Sequence, residues 1–582
     1  MHNIVSRVSC SFAMLSILVS PALFGSSGDP ACALSGFVVD AVSGESLSNA
    51  TLELEALAKP QSMRLADLYP GAPVALGGIR YTALSGGGGR FCFAALPQGQ
   101  YVLWARREGF LESHYGTTSP GQMSQVLDIG PQQEAPVTVR MWPEATMSGV
   151  ISDSQGRPVT AGLVEVVGTV WFRGRPHTVV VKGAQVTGVG EYKIVGIPPG
   201  KYYVRFRPLD SAQLCGGCLP AQQTTREFVP TFYPSGLTTR DAVAIEVGLG
   251  DRVSKLHIVA RQGAKFTVSG RMRISGTVPE FASLWLLAQD EEPTAWVLGS
   301  SVADREGGFR FLNVAPGTYG LHYFMGGTSG ISVGRVETAV RDGDVTVDID
   351  GPPPLRLSGK VTVDGVAGAK LKGMKVALVP ADRIMDPSCS GEVQENGEVV
   401  LEGCSVGRYT LAVSTGRVHY VKQILYAGAD ITNGVLTGRH NGAELRIALR
   451  EGAARIRGTL SPAKSAWYVV VPVELPAQVL PVQARLGYSD GTGTFLVEGL
   501  PPGRFAVVGL AAPDLSALHN PDALLALAAL GTEVQLRENE EAVITAPLIS
   551  ALEGQRALRL AGVGSLTAHG SSFNGSRMRF HD

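Results

Sequence analysis

The segment Tyr192-Lys-Ile-Val-Gly-Ile-Pro-Pro-Gly-Lys-Tyr202 combines apolar residues, a glycine and an aromatic residue at fixed distances. Counted from Tyr192, they stand at positions 0, 2, 5, 8 and 10, and the same spacing occurs five times in the chain of 582 residues. The other four copies are Phe91, Phe93, Leu96, Gly99 and Tyr101; Phe309, Phe311, Val314, Gly317 and Tyr319; Val399, Leu401, Cys404, Gly407 and Tyr409; and Phe495, Val497, Leu500, Gly503 and Phe505. A repeat at this scale indicates a tandem array of one structural unit.

This repeat predicts a strand, a turn and a second strand. Apolar residues at positions 0 and 2 lie on one face of a strand, because successive side chains alternate between its faces. The Pro-Gly step of the best copies forms the turn, since proline presets φ and glycine accepts a positive φ. The aromatic residue at position 10 then opens the next strand and faces the core. A glycine-rich turn such as Gly307-Gly308 precedes each copy, so we expect an all-β unit built from hairpins.

A weaker repeat, an apolar residue followed two positions later by glycine, marks the start of each unit. These glycines are Gly36, Gly149, Gly270, Gly359 and Gly458, and they are separated by 113, 121, 89 and 99 residues. Such spacings match β-sandwich domains of about 100 residues. We therefore predict an all-β fold: a tandem array of about five immunoglobulin- or transthyretin-like β-sandwich domains. One short helix near the C-terminus is expected over Asn520–Gly531, which has helix-capping residues at both ends.

The predicted organisation has seven parts. A signal peptide at 1–27 precedes sandwiches at 28–143, 144–263, 264–351, 352–451 and 452–550, called here the first to the fifth unit. Residues 551–582 lose the strand alternation and gain Gly, Ser and Arg, which predicts a disordered tail.

The N-terminus has the pattern of an export signal. Arg7 precedes the apolar stretch Ser11–Ser20, and the small residues Gly25-Ser26-Ser27 follow. The apolar stretch is too short to span a bilayer, and a buried first helix is the alternative interpretation. We expect a secreted or periplasmic protein of the cell envelope, which is not an integral membrane protein after signal removal.

The number of cysteines is consistent with an oxidising compartment. Removal of the signal takes Cys10 and leaves six cysteines, for which 15 connectivities exist. We favour pairing within units, because a separately folding unit brings its own residues together first. The predicted disulfides are Cys32 with Cys92, Cys215 with Cys218, and Cys389 with Cys404. Free buried thiols are the alternative for all three pairs, and a redox or zinc motif is a further alternative for Cys215-Gly-Gly-Cys218.

The charge balance argues against nucleic acid as a partner. Lys and Arg number 50 and Asp and Glu number 51, which gives a net charge of −1. Nucleic-acid binding depends on clustered cations that face phosphates. Glycine, with 72 residues, indicates many turns and hence many short strands.

The repeat Gly-x-Phe-x-Phe followed by Leu-Pro-x-Gly-x-Tyr resembles the carboxypeptidase regulatory-like domain. This is a transthyretin-like sandwich, also grouped with carbohydrate-binding-like and Cna-B-like folds, and the layout is similar to secreted tandem-repeat proteins of the acidobacterial type. The resemblance covers about residues 32–548 and implies the fold. It concerns only the regulatory sandwich, so it implies no zinc-peptidase domain. Some Cna-B-like domains join a Lys to an Asn or Asp; strand lysines such as Lys193 and Lys360 exist, but no pattern singles out a pair.

A search for chemistry finds no catalytic residue, metal ligand set or cofactor site. No histidine begins His-x-x-Glu or His-Glu-x-x-His. Gly487-Tyr-Ser489-Asp-Gly491 matches the nucleophile elbow of hydrolases, but that elbow needs a following helix, and a predicted strand follows here. We therefore expect a protein that is not an enzyme.

Aromatic residues are the candidates for ligand binding, because exposed rings stack on sugars. The candidates are Trp104, Trp171, Phe232 and Tyr233. A core position is the alternative for Trp104, and a hydrophobic plug at the end of the sandwich is the alternative for Phe232-Tyr233. The predicted function is an exported, non-enzymatic scaffold or a binding or adhesion protein of the cell envelope, whose partner is an unknown protein or a polysaccharide. The alternative function is a carbohydrate-binding module array that recognises polysaccharide through these aromatics.

Overall fold

The computed structural model describes residues 32–58, 62–65, 78–130, 135–208, 228–293, 300–327, 330–366, 371–383, 388–438 and 443–562. The predicted signal peptide at 1–27 and the pair Cys215 and Cys218 lie outside these ranges.

The first unit consists of two sheets. Its strands are β1 (Leu34–Asp40), β2 (Thr51–Ala56), β3 (Met63–Arg64), β4 (Arg80–Leu84), β5 (Arg90–Phe93), β6 (Gly99–Arg106), β7 (Ser113–His114), β8 (Leu127–Ile129) and β9 (Val137–Met141). One sheet has the order β5-β1-β9, and the other has the order β4-β2-β6-β7, with β8 also paired to β6. The buried side chains of Leu52, Leu103 and Val139 belong to the core of this unit.

The second unit repeats this arrangement. Its strands are β10 (Ala145–Ser152), β11 (Leu163–Phe172), β12 (Arg175–Gln185), β13 (Glu191–Ile197), β14 (Gly200–Arg207), β15 (Thr231–Phe232), β16 (Ile245–Val247), β17 (Arg252–Val253) and β18 (Ile258–Val259). One sheet is β13-β10-β17 with β18 on β10, and the other contains β15-β14-β11-β12 with β16 on β14.

The third unit has two separate sheets as well. Its strands are β19 (Phe266–Ile274), β20 (Phe281–Ala288), β21 (Glu291–Glu292), β22 (Ser300–Val302), β23 (Gly308–Val314), β24 (Gly317–Gly327), β25 (Gly330–Val340), β26 (Val345–Thr346) and β27 (Ile349–Gly351). The sheet orders are β23-β19-β26, with β27 on β19, and β22-β20-β24-β25.

The fourth unit follows the same plan. Its strands are β28 (Leu355–Val363), β29 (Lys375–Pro380), β30 (Cys389–Glu392), β31 (Glu398–Cys404), β32 (Gly407–Val413), β33 (His419–Tyr426), β34 (Ala429–Asp430), β35 (Leu436–Gly438) and β36 (Leu445–Glu451). The sheet orders are β31-β28-β36-β33-β34 and β30-β29-β32-β35.

The fifth unit differs because its strands form one continuous sheet and helices pack on it. Its elements are β37 (Ala454–Ser461), β38 (Trp467–Pro472), α1 (Leu480–Gln483), β39 (Arg485–Tyr488), β40 (Thr494–Leu500), β41 (Gly503–Leu510), α2 (Leu515–Leu518), α3 (Pro521–Ala528), β42 (Thr532–Leu536), β43 (Glu541–Ile549) and α4 (Ala551–Leu560). The sheet order is β39-β38-β41-β43-β37-β40, with β42 on β41.

The predicted strand, turn and strand are present in all five copies, but they do not form hairpins. In the first copy, β5 belongs to one sheet and β6 to the other, so the turn carries the chain across the core. In four copies the tyrosine at position 10 fastens this corner. Its hydroxyl donates to the carbonyl oxygen four residues earlier, at 2.7 Å from Tyr101 to Pro97 and 3.0 Å from Tyr202 to Pro198. Tyr319 and Tyr409 bond Ala315 and Ser405 in the same way, at 2.8 and 2.7 Å.

The helices correct two expectations. The expected helix is present as α3, and the Asn520 side chain accepts from the backbone N of Asp522 at 2.9 Å. However, the described residues contain four short helices rather than one. Helix α4 occupies the first third of the predicted disordered tail, where Ser550 and Glu553 form a capping box. Residues 563–582 lie outside the described part of the chain.

Two strand pairings join strands of different units. One joins the first unit to the fifth, and the other joins the second unit to the third. β3 of the first unit adds to β39 of the fifth, with Met63 opposite Leu486. β21 of the third unit adds to β12 of the second, with Glu291 opposite Thr178. The units are thus connected through their backbones as well as through linkers.

Candidate functional site

Two of the three predicted disulfides are confirmed. Cys32 bonds Cys92 with Cα atoms 5.5 Å apart, and Cys389 bonds Cys404 with Cα atoms 5.4 Å apart. Cys404 is fully buried in the core of the fourth unit, as its repeat position predicts. The first disulfide ties the segment before β1 to β5.

Ser489 of the hydrolase-like motif is a structural residue. Its side chain is fully buried. Its Oγ accepts from the backbone N of Ala466 at 3.0 Å and donates to the carbonyl oxygens of Lys464 and Ala466, at 3.0 and 3.2 Å. A hydroxyl committed to three backbone groups of a strand connection is not presented to a substrate.

Trp104 is buried, which corrects its placement among the exposed aromatics. It faces away from the core of its own sandwich, as alternation from Tyr101 predicts, yet only 7% of its surface is exposed. The fifth unit covers it, and Arg80 stacks over its ring at 5.5 Å. Trp104 therefore belongs to an interface between units rather than to a surface for sugar.

Phe232 and Tyr233 pack on different parts of the second sandwich. Phe232 is 5% exposed and packs on Val167 and Val180, with the Arg205 guanidinium 5.5 Å from its ring centroid. Tyr233 is half-buried against the core of the second unit. The burial of Phe232 corrects its candidacy as an exposed aromatic.

Trp171 is half-buried on β11, beside the tip of the β11–β12 hairpin. This tip reaches the fourth and fifth units. The backbone N of Arg173 donates to Nδ1 of the fully buried His519 at 3.2 Å, and Arg173 Nη1 donates to the carbonyl oxygen of Pro380 at 3.1 Å. The rings of Phe172 and His519 lie 5.2 Å apart. We call this junction of the second, fourth and fifth units the hub.

Charged residues surround the hub. Arg175 pairs with Asp382 of the fourth unit at 3.3 Å, and Arg408 approaches the same carboxylate at 3.2 Å. Burial lowers the pKa of His177 to about 4; Arg175 and Arg173 add to this effect, whereas the Phe172 backbone and Asp382 oppose it. His177 is therefore held neutral within the junction.

The first and fifth units share one apolar core, which we call the seam. Its members include Leu65, Val102, Trp104, Met123 and Val126 of the first unit and Trp467, Val469, Leu486, Val508, Leu515 and Leu524 of the fifth. Hydrogen bonds cross it, from Tyr488 Oη to the Ala58 carbonyl oxygen at 2.7 Å and from the backbone N of Met123 to the Pro513 carbonyl oxygen at 2.8 Å. Buried apolar contacts of this kind stabilise the association of the two units.

A polar network continues the seam. Gln100 Nε2 donates to the Ser489 carbonyl oxygen at 2.8 Å and contacts the Ser465 hydroxyl. Ser465 Oγ in turn donates to Asp128 Oδ1 at 2.6 Å. These bonds satisfy polar groups that the contact removes from water.

A buried ion cluster joins the second and third units. Arg205 pairs with Glu165 at 2.6 Å and also with Glu291 of the third unit, while Arg207 pairs with Glu165 at 2.8 Å. Burial opposes the charge of Arg205, but the two carboxylates hold its pKa above the usual value. Glu291 is the member that the third unit contributes, so its pairing with the buried Arg205 links the second unit to the third.

An open groove of about 930 Å³ lies on the third unit. Its polar lining comes from the outer face of β19 and from the strands and turns beside it: Ser269, Arg271, Arg273, Asp304, Arg310, Thr346, Asp348 and Asp350. No repeat or motif of the sequence indicates this groove.

Within the described ranges, no group of three or more His, Cys, Asp or Glu side chains is placed to hold a metal ion. None of the helices in that part of the chain is both long and apolar enough to cross a membrane.

No protein-family model matches the chain. No curated protein matches it. Solved structures to which the chain shows some similarity include a streptococcal ancillary pilin (TM-score 0.17, 11% identity, 55% of this chain and 98% of that chain). A minor pilin of Streptococcus agalactiae gives a TM-score of 0.22 at 13% identity, over 40% of this chain and 97% of that one. Two B repeat units of the collagen-binding protein of Staphylococcus aureus give 0.13 at 13% identity, over 72% and 99%. At these scores the likenesses carry no argument about function.

Proposed function

We propose that the chain is an exported, non-enzymatic scaffold or binding protein of the cell envelope, built from carboxypeptidase regulatory-like sandwiches with the domain boundaries given above. The observation that carries this proposal is the seam, where the fifth unit docks on the first. Together with the hub and the ion cluster, the seam holds five sandwiches in one body. Such a body presents its outer surfaces at fixed positions, which suits display or attachment.

The two disulfides support a place outside the cytoplasm. Disulfides persist in secreted and periplasmic proteins, whereas thiols stay reduced in the cytosol. Both bonds close loops within one unit, of 60 and 15 residues in sequence separation, as expected for units that fold separately after export.

The proposed alternative, a carbohydrate-binding array that uses Trp104, Trp171, Phe232 and Tyr233, has less support. Two of these side chains are buried, and Trp171 and Tyr233 are half-buried. Stacking on a sugar needs an accessible ring face, so the scaffold function is preferred.

The proposal is tested on the mature protein produced in a periplasm. Small-angle scattering should give a compact particle rather than an extended string of five domains. Assays with peptidase, esterase and glycosidase substrates should show no turnover above that of a buffer blank. An extended particle would contradict the rigid scaffold, and turnover that is lost on changing a single residue would contradict the non-enzymatic role.

A further inference from the structure

The outer face of the β23-β19-β26 sheet of the third unit is decorated differently from the same face in the other units. Four positions of this sheet point away from the core in every unit. Three of them stand one residue before, one residue after and three residues after the leading glycine, and the fourth directly follows position 0 of the repeat. In the third unit they are Ser269, Arg271, Arg273 and Arg310. In the others they are Ser35, Phe37, Val39 and Cys92; Ser148, Val150, Ser152 and Lys193; Ser358, Lys360, Thr362 and Val400; and Arg457, Thr459, Ser461 and Leu496. Three arginines on this face are therefore a property of the third unit, not of the fold.

Strand pairing brings the three arginines together. Arg271 and Arg273 alternate outward along β19, and Arg310 lies on the neighbouring β23, opposite Ser269. All three side chains are exposed, and within the described residues none of them forms an ion pair or a side-chain hydrogen bond. By contrast, Arg457 on the same face of the fifth unit pairs with Glu541 at 2.7 Å.

Three carboxylates in the groove are held in place by the backbone. Asp304 Oδ1 accepts from the backbone N of Gly308 at 2.7 Å, and Asp348 Oδ1 accepts from that of Arg271 at 2.9 Å. Asp350 Oδ1 accepts from the backbone N of Gly276 at 3.0 Å. Each carboxylate keeps its second oxygen for a further donor, and its position is fixed before any ligand arrives.

The hydrogen-bond donors, acceptors and charges of the lining side chains indicate which class of ligand the groove binds. Guanidinium groups only donate hydrogen bonds, and carboxylates only accept them. Three of each give no net charge, which removes the electrostatic attraction that a polyanion or nucleic acid would need. A hydroxyl both donates and accepts, so a ligand dense in hydroxyl groups satisfies both sets at once. The volume of about 930 Å³ falls within the range of about 300–1,000 Å³ typical of ligand sites.

We propose that this groove binds a neutral polysaccharide through hydrogen bonds from the arginines and to the aspartates. The inference goes beyond the scaffold function and does not depend on it. Because the groove is open along the sheet, it accommodates an internal stretch of a chain rather than only an end.

The test uses the whole mature protein and affinity electrophoresis in gels that contain a soluble glucan, xylan or galactomannan, with polygalacturonate and heparin as polyanion probes. At least one neutral polysaccharide should retard the protein, at low and at high salt. The double variant Arg271→Gln, Arg273→Gln should weaken this binding about ten-fold or more, because hydrogen bonds from charged groups are lost. Asp348→Asn, which keeps the acceptor for the Arg271 backbone, tests the carboxylate side and should also weaken binding.

The matched control is Arg455→Gln, Arg457→Gln, which removes two arginines from the corresponding face of the fifth unit. It should leave binding unchanged. Unfolding curves identify any variant that fails to fold, and Arg310→Gln provides an independent change in the groove. Absence of binding to every neutral polysaccharide, or binding that survives all groove changes, would overturn the inference while leaving the scaffold proposal in place. Retardation only by polyanions, lost at high salt, would also overturn it and assign the arginines to an anionic partner.

Discussion

The indole Nε1 of Trp467 donates a hydrogen bond to the carbonyl oxygen of Ser124, at 2.8 Å. The two residues are 343 positions apart in the sequence, and both are buried. This bond lies in the seam, so the last sandwich of the array is fastened to the first. The chain therefore closes on itself instead of extending as a string.

Replacement of Trp467 by Phe is expected to weaken this closure. The change leaves the Ser124 carbonyl buried without its donor, which costs about 1–3 kcal/mol. Urea unfolding should show the loss of stability, and small-angle scattering should show a larger particle as the first unit separates. Trp142→Phe is the control, because Trp142 Nε1 bonds Thr117 within the first unit. The control should lower stability without enlarging the particle, and an unchanged particle for Trp467→Phe would contradict a role of this residue in closure.

The seam explains why the sequence predicts the units well and their assembly poorly. Strand periodicity, corner residues and cysteine positions are local, so the five sandwiches and two disulfides follow from them. Alternation from Tyr101 places Trp104 on the side of its strand away from its own core, but only the distant fifth unit explains its burial. One local signal was present: Tyr101-Val-Leu-Trp-Ala105 and Trp467-Tyr-Val-Val-Val471 are unbroken apolar runs. Such runs indicate strands buried on both faces.

The sequence did not predict the hub and the groove, for a different reason. Arg173 and His519 meet through a hairpin tip and a helix end that the repeat does not describe. The groove arginines are polar residues at outward positions, which look like ordinary surface until the five units are compared position by position. The repeat predicts where the turn lies. Whether that turn joins two strands of one sheet or forms a corner between two sheets depends on which strands pair, and the alternation of side chains along a strand does not specify its partner.

The corner tyrosines should contribute to stability through their hydroxyls. Tyr202→Phe removes the bond to the Pro198 carbonyl oxygen and is expected to cost about 0.5–1.5 kcal/mol. Tyr203→Phe is the matched control at the next position, where the side chain is half-buried and outside the corner. Urea unfolding of both variants makes the comparison. Equal stabilities of the two variants would show that the hydroxyl of Tyr202 contributes nothing at the corner.

The disulfide between Cys389 and Cys404 should stabilise the fourth unit. Closing a loop of about 15 residues is worth about 3 kcal/mol in the chain-entropy model. The double variant Cys389→Ala, Cys404→Ala should therefore lower the thermal midpoint, and reducing agent should have less effect on it than on the native protein. Peptide mapping of the unreduced protein checks the pairing. Free thiol at Cys389, or a bond between Cys404 and a cysteine of another unit, would be incompatible with this assignment.

Stability should fall in mild acid because of His177 at the hub. Its pKa is about 4 in the folded protein against 6.5 for an ordinary histidine. Above pH 6.5 both states are neutral at this residue and the full stability is present. As the pH falls from 6.5 to 4, only the unfolded state binds the proton, so unfolding becomes easier. Below pH 4 both states are protonated, and the loss reaches about 3 kcal/mol.

Urea unfolding between pH 7 and pH 4 measures this effect, with His177→Gln as the test variant. The variant should lose the part of the pH dependence that His177 supplies. A residual slope is expected from His322, whose pKa burial also lowers to about 4, and the double variant His177→Gln, His322→Gln should flatten the profile further. If the single variant keeps the full slope of the native protein between pH 6.5 and 4, His177 is not buried neutral at the hub, and the docking of the β11–β12 hairpin against the fourth unit would have to be revised.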